Sequence, residues 1–159
     1  QQDLMLFSSS GKAIKFSEKD VRAMGRTAAG VRGLRLGKVA DTVIALCIPE
    51  GEMILIATEH GYGKRTTLGD FPSQGRGGKG VIAIQVSDRN GPVVGAVQVT
   101  EQDEVMLISS SGILVRTASS EISIIGRNTQ GVRLIKLGDK DRLVGLERIE
   151  ILPEQDLAD

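Results

Sequence analysis

Glycine and cationic side chains are concentrated in residues 73–81, where the sequence reads SQGRGGKGV. Glycine lets a backbone take a positive φ angle or pass close to another group, and Arg and Lys donate strong hydrogen bonds to anions. This combination is typical of loops that approach a phosphate. The phosphate could belong to a nucleotide or to DNA, and a third interpretation is a tight turn whose cations are merely exposed.

A nucleotide-binding loop does not fit this sequence. A P-loop needs the pattern G-x-x-x-x-G-K-[ST] between a strand and a helix. Here Lys79 is followed by Gly80 and then by an apolar run typical of a strand. The dinucleotide-binding pattern fails for the same reason, which leaves the DNA interpretation and the tight turn.

The glycine-rich stretch belongs to a threefold repeat. The pattern G-R-x-x-x-G occurs in residues 25–30, 75–80 and 126–131, which we call the box loops, and its Arg is Arg26, Arg76 or Arg127. The segments LMLFSSSGKAIKF, ILIATEHGYGKRT and VMLISSSGILVRT precede them with the same offsets of 50 and 51 residues. A fixed period of this length predicts an array of similar structural units.

Each repeat predicts four short strands and no long helix. One apolar run precedes the Ser- or Gly-rich turn, one follows it, and two more follow the box loop. Such a unit is typical of a propeller blade. We therefore predict an all-β, propeller-like chain of about three four-stranded blades, in residues 1–51, 52–102 and 103–152, with an acidic tail at 153–159. Three blades leave open edges, so we expect either more blades in the parent molecule or pairing with a second copy.

Charge is sorted within each repeat, although the whole chain has 20 Lys and Arg against 20 Asp and Glu. The turn-to-box segments are basic, with eight cations against two acids in 8–38 and four against one in both 61–80 and 112–137. The connecting segments are acidic, and 39–60 has four acids and no Lys or Arg. A basic stripe that recurs from blade to blade predicts an edge that a bent duplex could follow.

Composition argues against several other functions. Aromatic content is 3% with no Trp, whereas readers of single strands need aromatic stacking platforms. The lone His60 and the lone Tyr62 lie in one predicted turn without catalytic or metal-ligating neighbours, so we expect no catalytic residue, metal or cofactor in this chain. Cys47 is a single cysteine, which suits a reducing cytoplasm. No apolar run approaches the ~18 residues of a membrane span.

The whole chain resembles the C-terminal domain of DNA gyrase A subunits. The segments that carry the resemblance are VRAMGRTAAGVRGLRLG, GYGKRT, VVGAVQV, GILVRT and SEISIIGRNTQGV. The resemblance implies a six-bladed β-pinwheel with strands exchanged between blades, of which this chain resembles the last three. The family's box, QRRGGKG, usually lies in the first blade. It matches here at six of seven places, with Gly in place of the first Arg, in Gln74, Gly75, Arg76, Gly77, Gly78, Lys79 and Gly80.

The surroundings of this box resemble the fifth blade, so the match is either convergence or a second functional box. The resemblance implies non-sequence-specific binding, bending and wrapping of duplex DNA for negative supercoiling by bacterial gyrase, a type II topoisomerase. It further implies an A2B2 holoenzyme in which the A subunits are joined by gyrase B subunits. That holoenzyme uses ATP and Mg²⁺ and acts in the cytoplasm on the chromosome, with the strand-cleaving tyrosine in another domain.

Two alternatives stay open, a topoisomerase IV A subunit and a propeller scaffold that binds proteins. In the DNA interpretation, the cations expected to contact phosphates lie on the second strands, in or beside the box loops and at the starts of the third strands. They are Lys12, Lys15, Arg22, Arg26, Arg32, Lys64, Arg65, Arg76, Lys79, Arg116, Arg127 and Arg133.

Overall fold

The computed structural model describes residues 1–151, which form an all-β chain, as predicted. Three single turns of 3₁₀ helix, at Glu18–Asp20, Leu68–Asp70 and Ser119–Glu121, each follow the second strand of a repeat. None of the helices in 1–151 has the length and apolar character needed to cross a membrane. The eleven strands of the described residues are β1 Asp3–Ser8, β2 Lys12–Ser17, β3 Val43–Cys47, β4 Met53–Thr58, β5 Tyr62–Thr67, β6 Val81–Ile82, β7 Val93–Val99, β8 Glu104–Ser109, β9 Leu114–Ala118, β10 Val132–Arg133 and β11 Leu143–Ile149.

Each repeat begins with an antiparallel hairpin, β1–β2, β4–β5 or β8–β9. Its first strand is apolar at successive positions, as in the sequence MILIAT of β4, because both of its faces are covered. Ile54 and Ile56 face the first sheet, whereas Leu55 and Ala57 face the third. A strand that is buried on both faces has a continuous apolar sequence, whereas a strand buried on one face alternates between apolar and polar residues.

Neighbouring repeats exchange strands. The sheets have the orders β3-β1-β2-β6, β10-β5-β4-β7 and β11-β8-β9, so the outermost strand of the first two sheets comes from the next repeat. The second and third repeats each form the four predicted strands, and the first repeat forms three in the described residues. Each repeat keeps three strands, and the second and third repeats each donate a two-residue strand backwards. In the described residues the corresponding run of the first repeat, 31–36, forms no strand.

The strands at the side of the sheets opposite the donated strands lie close together. β7 contacts both β3 and β11, so these three strands form the inner side of the array and the donated strands lie on its outer edge. The predicted repeat limits at 51/52 and 102/103 fall just before β4 and β8, and the exact limits stay a prediction. The predicted acidic tail, 153–159, lies outside the described residues.

Apolar side chains fill the space between sheets. Met5 and Phe7 of the first sheet pack with Ile54, Ile56 and Phe71 of the second repeat, and all five are at most 2% exposed. A second cluster, which includes Leu55, Val105 and Leu107, joins the second and third sheets. Burial of each such side chain stabilises the fold by about 1.5–3 kcal/mol. The outer edge is therefore attached to a rigid stack of sheets.

Candidate nucleic-acid interface

The second and third box loops lie along the outer edge of the preceding repeat. Just before the second box loop, the Gln74 amide donates to the Lys15 carbonyl at 2.7 Å, and within the loop the Gly78 carbonyl accepts from the Arg35 amide at 2.8 Å. The third box loop repeats the second of these bonds, from the Gln85 amide to the Thr129 carbonyl at 2.8 Å. These loops carry cations, and backbone hydrogen bonds between repeats therefore fix their position.

The last glycine of each box loop has the backbone conformation that only glycine adopts easily. Gly30, Gly80 and Gly131 have φ angles of 83°, 74° and 79°, and a Cβ on Gly131 would lie 2.7 Å from the Gly63 carbonyl oxygen. The first glycine is different, because Gly75 has no positive φ and a Cβ there would meet nothing within 4 Å. Of the two glycines in the pattern, only the last therefore needs a positive φ angle or a close approach to another backbone.

The box arginines connect neighbouring repeats. Arg76 donates from Nε to the Asp20 carbonyl at 2.8 Å and from Nη1 to the Arg32 carbonyl at 3.2 Å. Arg127 donates in the same way to the Ile82 carbonyl at 2.9 Å, with its guanidinium carbon 5.9 Å from the centroid of the Phe71 ring. An arginine has five N–H donors. Each guanidinium is thus held in place and keeps further donors for an anion.

Lys64 and Arg65 do not belong to the exposed edge, which corrects the prediction for both residues. They are 0% and 3% exposed. Arg65 donates to the Ile122 carbonyl at 2.7 Å and pairs with Glu101 at 2.9 Å. The next repeat covers both side chains, and their buried donors have hydrogen-bond acceptors. They stabilise the seam between the second and third sheets and are out of reach of a phosphate.

Lys64 supports the third box loop from beneath. Its Nζ donates to the carbonyls of Gly126 at 2.6 Å and Arg127 at 2.8 Å, and to the Thr129 hydroxyl at 3.0 Å. Burial, and secondarily the charge of Arg127, lower the pKa of Lys64 from 10.5 to about 8. Burial disfavours the ammonium form, while the carbonyl acceptors stabilise it. Lys64 thus adds a buried hydrogen-bond donor to the backbone bonds that hold this box loop.

The other predicted cations reach the surface. Arg116 is exposed but forms an ion pair with Glu104, and Arg133 is exposed and donates to the Tyr62 hydroxyl at 3.0 Å. The remaining six are exposed or half-exposed and have no ion pair within residues 1–151. They are Lys12, Lys15, Arg22, Arg26, Arg32 and Lys79.

Several acids of the connecting segments have structural partners. Asp41 accepts hydrogen bonds from the hydroxyls of Ser9 and Ser10 at 3.0 and 2.8 Å. Burial raises the pKa of Asp41, but these hydrogen bonds outweigh it and leave the pKa below its ordinary value. Asp141 is held in the same way by Ser110 and Ser111 at 2.7 Å, and its pKa is lowered by these bonds, with that from Ser111 the largest cause. The Ser-rich turns thus fix the connecting loops.

The sequence interpretation missed Arg89, an exposed cation beside Tyr62. Arg89 lies in the connecting segment 81–111, where it is the one cation beside four acids, so the sorting of charge along the chain does not assign it to the basic edge. A usable signal is present, because an offset of 51 places Lys140 at the same position of the third repeat. Within residues 1–151 no group of three His, Cys, Asp or Glu residues is arranged to hold a metal.

The strand exchange, the inner convergence and the outer box loops define a class of protein, a propeller-like array of blades that share strands. The chain belongs to the family described as DNA gyrase C-terminal domain, beta-propeller, whose model matches residues 2–46, 52–100 and 103–150. The family resemblance of the sequence is thereby confirmed.

Curated relatives are similar over nearly the whole chain. The DNA gyrase A subunit of Pseudomonas aeruginosa is 57% identical over 150 residues, which are 94% of this chain and 16% of that protein. The DNA gyrase A subunit of Escherichia coli is 52% identical over 159 residues, which are 99% of this chain and 18% of that protein. The chain thus spans less than a fifth of the length of these relatives.

Two solved structures have a similar fold. The structure of a DNA gyrase A C-terminal domain superposes with a TM-score of 0.85 at 30% identity, over 94% of this chain and 51% of that chain. The C-terminal domain of a DNA topoisomerase IV superposes with a TM-score of 0.86 over 94% of this chain and 47% of that one, and its 23% identity shows the fold alone. The all-β pinwheel prediction is confirmed.

Proposed function

We propose that the chain binds duplex DNA along its outer edge and bends it, without reading base sequence, as the DNA-wrapping part of a DNA gyrase A subunit. The observation that carries this proposal is the repeated placement of exposed or half-exposed cations on the outer edge. Lys12 and Lys15 lie on β2, Arg116 lies on β9, and Lys79 lies in a box loop fixed by backbone hydrogen bonds.

Contacts of this kind position DNA and do not specify its sequence. Lys and Arg on an edge reach phosphate oxygens, whereas base readout needs side chains that enter a groove. The array of sheets is rigid because apolar clusters join each neighbouring pair. A duplex that follows cations from one blade to the next must bend, and the energy of bending depends on how flexible its sequence is. Any sequence preference should therefore follow flexibility.

The wider setting is part of the same proposal and rests on membership of the gyrase C-terminal domain family. In the proposed holoenzyme, two A and two B subunits use ATP and Mg²⁺ to pass one duplex through another, and the wrapped segment sets the sign of the supercoil. The chain itself contributes DNA binding and no catalytic group. Its place of action is the cytoplasm, on the chromosome.

A second copy of the chain is a proposed partner when no further blades are present. Leu46 at the first sheet is 64% exposed and Leu114 at the third is 60% exposed. Within residues 1–151 the outer side of β9 receives no donated strand. The two ends present apolar surface and an unpaired strand edge, which favour association. Light scattering after gel filtration measures whether such dimers form.

The testing experiment is the affinity for a mixed-sequence duplex between about 50 and 200 mM salt. We expect a steep loss of affinity with salt that corresponds to several released counterions, and a loss of end-to-end distance in a duplex labelled at both ends. Undetectable binding at low salt would overturn the proposal and favour the protein-binding scaffold. Binding without bending would leave a DNA-binding module that does not wrap.

A further inference from the structure

Tyr62 lies between two arginines from different segments of the chain. It starts β5, is 7% exposed, and is paired with Arg133 of β10 in the sheet register. Its hydroxyl accepts hydrogen bonds from Nη2 of Arg133 at 3.0 Å and from Nε of Arg89 at 3.5 Å. The guanidinium carbons lie 5.4 and 5.3 Å from the ring centroid. One phenol therefore holds two guanidinium groups.

Both arginines are available to an anion. Arg89 and Arg133 are exposed, and neither has a carboxylate oxygen within 4.0 Å in residues 1–151. Each uses one of its five N–H donors on the tyrosine, which leaves four. Two positive charges held close to the same ring repel each other, and an anion bound by both would relieve that repulsion. A guanidinium matches phosphate oxygens with two parallel donors.

The same place carries a cation in the first repeat. Lys12 opposes Ile82 in the first sheet as Tyr62 opposes Arg133 in the second. In the first repeat the charge is on the strand residue itself, and in the second repeat a tyrosine replaces it and the charge comes from its two neighbours. The positive charge on the outer edge is thus retained by different residues.

We propose that Arg89 and Arg133 form a two-guanidinium clamp for the DNA backbone phosphate, and that Tyr62 is the positioning residue that holds them together. This inference rests on the proposed function, because it assigns additional phosphate contacts to the same outer edge. On another side Arg133 borders a cavity that is also lined by Asp139, Asp141, Lys136 and His60. The mixed charge of that cavity places the phosphate at the arginine pair instead.

The first test compares the double variant Arg89→Ala/Arg133→Ala with the control Arg142→Ala. Arg142 is exposed and lies beside Val144 in a groove near the inner strands, away from the outer edge. The slope of log affinity against log salt for duplex DNA should fall by about 1 in the double variant, because the clamp neutralises one phosphate and each lost phosphate contact removes about 0.9, and it should stay at the wild-type value in Arg142→Ala. Equal slopes in all three proteins, with the wild type still binding DNA, would overturn the clamp and leave the proposed function intact.

The second test uses the fact that Tyr62 is the chain's single tyrosine. In protein labelled with ¹³C at tyrosine Cζ, addition of duplex DNA should shift the one NMR signal in the wild type but not in the double variant. Tyr62→Phe, which keeps the ring and loses the hydroxyl, should lower DNA affinity while the unfolding midpoint in denaturant changes less than in the double variant. A Tyr62 signal that stays fixed at saturating DNA would refute the role of Tyr62. A wild type that binds no DNA would refute both proposals.

Discussion

Lys64 in the second repeat occupies the place of Ile14 in the first, and both side chains lie beneath the box loop of the next repeat. The Cδ1 atom of Ile14 lies next to Gly78. Lys64 instead donates hydrogen bonds to the carbonyls of Gly126 and Arg127. The two loops therefore have the same position and different support. One rests on an apolar contact, and the other on a buried ammonium group.

We expect Lys64→Ile, which copies the first repeat, to loosen the third box loop. The substitution removes the donor for two carbonyls and a hydroxyl, and an acceptor that loses its partner away from water costs about 1–3 kcal/mol. The loss of a buried charge offsets part of this, so the free energy of unfolding should fall by about 1–3 kcal/mol. Relative to the wild type, amide hydrogen exchange should accelerate in 126–131 and not in 75–80. The same change in both loops would contradict the supporting role of Lys64.

The lowered pKa of Lys64 predicts a specific pH dependence. Between about pH 8, its pKa in the fold, and 10.5, its ordinary value, the unfolded chain binds a proton that the folded chain has lost. The free energy of unfolding contributed by Lys64 should therefore rise with pH across this window. Urea unfolding at several pH values, compared between wild type and Lys64→Ile, isolates this contribution. Parallel curves for the two proteins would show that the pKa is not lowered.

The two box glycines should respond differently to alanine. Gly80→Ala places a side chain at a φ of 74° and against the Ala13 carbonyl, so we expect it to cost at least about 1–3 kcal/mol of stability. Gly75→Ala meets nothing within 4 Å and should be neutral or stabilising by up to about 1 kcal/mol. Thermal and denaturant unfolding of the two variants measure this difference. Similar losses in both would mean that Gly75 is also constrained.

Substitutions of Lys79 and Arg76 should distinguish a loss of DNA affinity from a loss of stability within one box loop. Lys79 is exposed without an ion pair in residues 1–151, so Lys79→Ala should weaken duplex binding equally for all sequences and lower the salt slope by about 1. Arg76→Ala should do the same and also lower stability, because its guanidinium bonds two carbonyls of the first repeat. Arg142→Ala is the matched charge control. An unchanged slope in both box variants would remove the box loop from the interface.

The repeat and its strands could be predicted because both follow from short-range patterns. Consecutive apolar residues around a Ser- or Gly-rich turn occur three times, and each occurrence forms a hairpin. The donation of β6 and β10 to the preceding sheet could not be derived from periodicity, because a two-residue strand has no pattern of its own. It followed only from the family resemblance.

Whether an individual cation is exposed or buried depends on its neighbours in the structure. Lys15, Arg65 and Arg116 are equivalent in sequence, yet Lys15 is half-exposed, Arg65 is buried and Arg116 is exposed. The 3₁₀ turn and the following segment of the third repeat cover Arg65, whereas nothing follows the third repeat within 1–151 to cover Arg116. A sequence pattern reports residue type and spacing, and burial of a long side chain depends on what the next repeat brings against it.

The backward donation of β6 and β10 has a consequence for the order of folding during synthesis. Residues 12–13 of β2 pair with residues 81–82, so the first sheet is incomplete until the ribosome has made most of the second repeat. The second sheet waits in the same way for residues 132–133. Each nascent blade therefore keeps one strand edge open until the following repeat arrives, and this interval is when the growing chain is most exposed to pairing with a wrong partner.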